Sequence, residues 1–155
     1  MNRRWALPVL LAIGCVDVNG GAVELSWAVV KSEGGELTSC QTEDWTLSKV
    51  KLRARLLHCD AGENQCHSCL LPDPWACDVG HGSTLFEFQP GDWELSIAVA
   101  QDPATGQTAS PIRVPDPIVR HVVNGEVTEL QGLLIVVGSS DGNLPEQDSA
   151  TTCEL

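Results

Sequence analysis

The sequence predicts an all-β protein: a two-sheet antiparallel β-sandwich of seven or eight strands, stapled by disulfides. Three observations predict it. Apolar and polar residues alternate with period two over several stretches, the mark of strands with one buried face. Turn residues such as Gly34-Gly35, Pro90-Gly91 and Asn124-Gly125 separate those stretches at the spacing of a sandwich. Seven cysteines in 155 residues suit an oxidising compartment in which cross-links add to the core.

The first strand is read over residues 22–31, where Val23, Leu25, Trp27 and Val29 share one face and Glu24, Ser26 and Ala28 the other. A loop follows over residues 32–44, rich in glycine and acidic residues. Residues 48–57 carry two patterns. With period two, Val50, Leu52, Ala54 and Leu56 point inward and Lys49, Lys51, Arg53 and Arg55 outward. With helical spacing, Leu47, Val50, Ala54 and Leu57 form a stripe built on good helix formers. The strand is preferred, because a helix would turn Leu52 and Leu56 towards water.

Residues 58–78 form a cysteine-rich loop without an apolar period. Leu85-Phe86-Glu87-Phe88 and the alternating run from Trp93 to Val99 read as two strands around a type II turn at Pro90-Gly91. Such a turn fits strand twist less well than the primed types, so the two strands can belong to different sheets. Pro111, Pro115 and Pro117 confine the segment around Ile112 and Val114 to an edge. Residues 118–123 and 126–130 read as a hairpin through Asn124-Gly125. The apolar run Leu133-Leu134-Ile135-Val136-Val137 reads as too apolar to be half exposed, hence a central or two-side-covered strand.

The N-terminus reads as an export signal. Arg3 and Arg4 precede nine uncharged residues, Trp5 to Ile13, too few to cross a bilayer, and the run ends in the motif Leu11-Ala12-Ile13-Gly14-Cys15. This segment resembles the signal of bacterial lipoproteins, which implies cleavage before Cys15 and a lipid on its thiol. Ala12 stands where that family usually has Leu, Val or Ile. An ordinary signal cleaved nearby, with Cys15 left as a disulfide partner, is the alternative. The resulting organisation is a signal peptide over residues 1–14, a lipidated tether over 15–21, the sandwich over 22–138 and a polar acidic tail over 139–155. The expected location is the bacterial cell envelope, at the outer membrane, with the membrane itself as a partner through Cys15.

Val50 to Leu56, the Pro-Gly-x-Trp-x-Leu-x-Ile run and Asn-Gly-Glu-Val-Thr-x-Leu together resemble small surface lipoproteins with an immunoglobulin-like or transthyretin-like, carboxypeptidase-regulatory type sandwich. That resemblance implies an accessory or adhesive module without catalysis.

The formal charge of −12 becomes −14 once Arg3 and Arg4 are removed. Such a chain is repelled by phosphate backbones, which argues against nucleic acid. With Cys15 lipidated, Cys40, Cys59, Cys66, Cys69, Cys77 and Cys153 are six disulfide candidates. The preferred arrangement joins Cys40 to Cys77, keeps one bridge within residues 59–69 and uses another for Cys153. An alternative is a zinc site drawn from His58, Cys59, Cys66, His67 and Cys69, with His81 nearby, since Cys66-His67-Ser68-Cys69 has workable ligand spacing. No cofactor is otherwise expected.

Two features suggest a binding surface for an envelope protein or glycan. Lys49, Lys51, Arg53 and Arg55 hold four of the seven mature positive charges. Against a binding role, the stripe could be a solvated face paired with Glu24, Glu87 or Glu94. Trp45 and Trp75 are read as lying in loops, where they could stack on sugar or pack the loops.

Overall fold

In the computed structural model, the described residues are 19–41, 45–61, 69–103 and 112–138. They form nine strands: β1 (Ala22–Lys31), β2 (Trp45–Cys59), β3 (Cys69–Leu70), β4 (Trp75–Ala76), β5 (His81–Ser83), β6 (Gly91–Pro103), β7 (Ile112–Arg113), β8 (Ile118–Val122) and β9 (Val127–Val137). One sheet has the order β5-β1-β9-β7. The other has the order β3-β2-β6-β8, with β4 also on β2. Nine strands replace the expected seven or eight because β3, β4 and β5 are short strands the sequence pattern did not mark, while residues 85–88 form none and the two segments at 126–130 and 133–137 join as β9; a 3-10 turn at Cys77–Val79 follows β4.

The two sheets close over a single apolar core. Val23, Leu25, Trp27 and Val29 enter it from β1, Val50, Leu52 and Ala54 from β2, and Trp93, Leu95 and Ile97 from β6. Phe88 is fully buried, its ring edge-on to Trp93 at a centroid distance of 5.1 Å. The indole N–H groups also find acceptors: Trp27 donates to the Cys77 carbonyl and Trp93 to the Gln89 carbonyl, each at 2.8 Å. Each ring therefore contributes apolar area without leaving a buried donor unpaired.

β2 is a strand along its whole length, and the helical stripe has a specific origin. The ladder with β6 shifts between Leu47 and Lys49 and again between Leu56 and His58. Each shift inserts one extra residue. Leu47 and Val50 can therefore both face the core although they are three residues apart, which imitates helical spacing. Leu57 sits in the second shift and is exposed.

Several connections differ from the sequence expectation. Residues 85–88 are not a strand. Only Phe88 makes a bridge, to Gly21 just before β1 of the first sheet, whereas Gly91 opens β6 in the second. The chain thus crosses between sheets at Pro90. The Asn124-Gly125 turn does not make a hairpin either, because β8 pairs with β6 while β9 pairs with β1. Its backbone is instead tied to the start of the domain: Gly125 N–H donates to the Gly20 carbonyl at 2.8 Å and Ala22 N–H to the Glu126 carbonyl at 2.9 Å.

β1 and β9 run parallel, whereas every other strand pair is antiparallel. A shift in this ladder opposes Leu25 to Leu130 and Trp27 to Leu133, which keeps both leucines inward and fuses two sequence segments into one strand. β9 is central as expected, but it is half exposed after all: Leu134 is 56% exposed on the outer face. Among the described residues, no helix is long and apolar enough to cross a membrane.

Candidate functional site

The basic stripe is laid out by strand geometry. Lys49, Lys51, Arg53 and Arg55 are exposed on the outer face of β2, with alternate residues about 6.8 Å apart along the strand. Their neighbours across the ladder are Ala100, Ala98, Ser96 and Glu94. Arg55 is the one that is neutralised: Nε and Nη2 donate to the two Glu94 carboxylate oxygens at 3.2 and 3.1 Å. Lys49, Lys51 and Arg53 make no ion pair among the described residues. The proposed partners Glu24 and Glu87 lie elsewhere, Glu24 on β1 in the opposite sheet and Glu87 in the crossing segment. The result is a flat row of three cations beside a strip of small side chains, on a chain of strongly negative charge.

Cys40 and Cys77 are disulfide-bonded, with Cα atoms 5.9 Å apart. Cys59 and Cys69 are also each disulfide-bonded. A sulfur in a disulfide supplies no thiolate to zinc. Of the other residues in the zinc set, His58 is exposed at the end of β2, while Cys66 and His67 lie outside the described residues. His81 is on β5, in the other sheet, with Nδ1 3.0 Å from the Val79 carbonyl oxygen. Cys15 and Cys153 also lie outside the described residues.

Trp75 is half-buried. Its ring stands 6.2 Å from that of Trp27 and lies over Gly82, where any side chain would strike it. It also borders a cleft of about 230 Å³ with Leu71, Pro72, Asp73, Ser83, Thr84, Leu85 and Glu87. Burial, reinforced by the negative charge of Asp73, raises the Glu87 pKa above the ordinary glutamate value. Neither tryptophan is in a loop: Trp75 opens β4, paired with Val50, and Trp45 opens β2, paired with Pro103, although the Trp45 side chain is outside the described residues.

Sequence reasoning missed one polar cluster. The ladders align His58, Asp92 and His121 across β2, β6 and β8. The His121 ring contacts Asp92 through Nδ1 at 2.8 Å and Asp60 through Nε2 at 3.6 Å. The hydrogen bond to Asp92 raises the His121 pKa; desolvation opposes it, and the charges of Asp60 and Asp92 add lesser upward effects. Residues so distant in sequence give no local signal of this meeting. No protein-family model, curated protein or solved structure matches the chain.

Proposed function

We propose that this protein is a non-catalytic, lipid-anchored module of the bacterial cell envelope that binds an acidic glycan through the outer face of β2. The observation that carries the reading is the row of Lys49, Lys51 and Arg53, which make no ion pair among the described residues. Cross-strand pairing would leave a solvated face with little net attraction, yet only Arg55 has a carboxylate opposite it. Three cations in line beside Ala98, Ala100 and Ser96 offer an extended polyanion both charge and close approach. Anchoring through Cys15 would place this face within the envelope, where such polymers occur.

The test is retention of the full chain on an immobilised polyuronate as salt is raised. Wild-type protein is expected to bind and to elute with salt, because exposed charge interactions are screened. Reversal of Lys49, Lys51 and Arg53 to glutamate should abolish retention, whereas Glu94→Gln should not. Equal retention of the triple variant would refute the assignment. Anchoring is checked separately by metabolic labelling with a fatty-acid probe, which should tag wild type and not Cys15→Ser.

A further inference from the structure

The two segments that close around the start of β1 both expose apolar side chains. On one side, Phe88 bridges Gly21, and the chain before it presents Leu85, 78% exposed, and Phe86, 42% exposed. On the other side, Val127 stands opposite Ala22 and is 48% exposed, with Val123 at 38%. The approach of both segments is close. A Cβ on Gly20 would lie 2.6 Å from the Phe86 carbonyl oxygen, and one on Gly21 would lie 2.6 Å from that of Val123. The chain therefore enters the domain between two apolar ridges.

The entry point is also where the membrane would be. Cys15 precedes Gly20 by five residues, and an extended chain spans at most about 3.6 Å per residue, or roughly 18 Å here. A lipid on Cys15 would hold Gly20 within that distance of the acyl chains. We propose that this pole of the sandwich is a membrane-seating surface: Leu85, Phe86, Val123 and Val127 enter the lipid interface and hold the domain end-on. The inference rests on the lipid-anchor reading given above.

The charge around the ridges selects the lipid. Residues 84–90 and 122–127 contain no Lys or Arg, and carry Glu87 and Glu126. Seating is therefore driven by apolar burial and favours zwitterionic over anionic headgroups. The lipid supplies the anchor and the ridges supply the orientation. Because Cys59 and Val122 flank Gly91 at this same pole, β2 leads away from the bilayer, which sets Lys49, Lys51 and Arg53 above the surface.

The experiment uses the full chain, purified from membranes and reconstituted in phosphatidylcholine vesicles doped with a phosphatidylcholine that bears a diazirine in its acyl chain. After irradiation, mass spectrometry locates the adducts and weighs the peptide containing Cys15. The expected result is an acylated Cys15 with adducts at Leu85, Phe86, Val123 or Val127 and none at exposed Leu134. Leu85→Ser/Phe86→Ser should lower the adduct yield roughly tenfold, the order expected when two apolar side chains lose partial burial. Its melting temperature should stay near wild type, because both side chains are already exposed. An acylated Cys15 with adducts at Leu134, or with none on the ridges, would overturn the seating surface alone. An unmodified Cys15 would overturn both the anchor and the seating that depends on it.

Discussion

Replacing Cys40 and Cys77 together by alanine removes a cross-link that ties the loop before β2 to the turn between β4 and β5. Both cysteines are buried, at 5% and 2% exposure. The bond closes a separation of 37 residues, for which the chain-entropy relation gives about 4 kcal/mol of stabilisation. The surrounding hydrogen bonds use backbone atoms that survive the change. Leu47 N–H donates to the Cys40 carbonyl, Cys40 N–H to Asp78 Oδ1, and Trp27 Nε1 to the Cys77 carbonyl, each at 2.8 Å. The loss should therefore reside mainly in the unfolded chain, which becomes larger and less constrained. At about 3 °C per kcal/mol for a domain of this size, the melting temperature should fall by roughly 12 °C. Urea titration should show a lower midpoint with a steeper slope, because more surface is exposed on unfolding. A change below about 1 kcal/mol with an unchanged slope would refute this account.

Two further outcomes follow from local geometry. Gly91 has φ 147°, and an added Cβ would collide with the His58 carbonyl oxygen. Gly91→Ala should therefore cost about 3 kcal/mol in denaturant titration, and an unshifted midpoint would contradict the crowding. The raised His121 pKa makes its protonated form the one favoured by folding. Its contribution is fully present below the unfolded value of about 6.5 and is lost as pH rises through the higher folded value. The melting temperature should decline across that window, His121→Asn should remove the decline, and a variant with the wild-type profile would exclude His121 as its source.

The strands easiest to read in the sequence are those with one face on the core. In β1 and β6 the alternation of buried and open positions follows the residue types almost one for one. β2 carried a helical alternative because its bulges change which residues face inward, and a bulge is set by the partner strand. Asn124-Gly125 correctly marked a reversal of direction, but turn chemistry acts over four residues and cannot choose the ladders its flanks join. Those were chosen by burial of Val122 against Gly21 and by the hydrogen bonds to Gly20 and Ala22. The alternation in Leu85-Phe86-Glu87-Phe88 also misled, since only Phe88 reaches the core.

At the candidate face, the outward direction of Lys49, Lys51, Arg53 and Arg55 was legible from period two alone. Which cation meets a carboxylate depends on the β2–β6 register, which no short stretch encodes. The His121 cluster requires two such registers at once. The Cys40–Cys77 bridge was accessible because it brackets a strand that had already been identified.

The parallel pairing of β1 with β9 has a mechanical consequence. β1 begins beside Gly20, and β9 ends beside Lys31 at the other pole, at Val137. Tension applied between the chain preceding Gly20 and the chain following Gly138 would pull these neighbours lengthwise in opposite directions. Such a load shears the ladder, and the nine registered pairs must yield together. An antiparallel pair pulled from one end would open one rung at a time. Forced unfolding follows the height of the unfolding barrier, so a domain with modest equilibrium stability could still hold firmly under sustained traction.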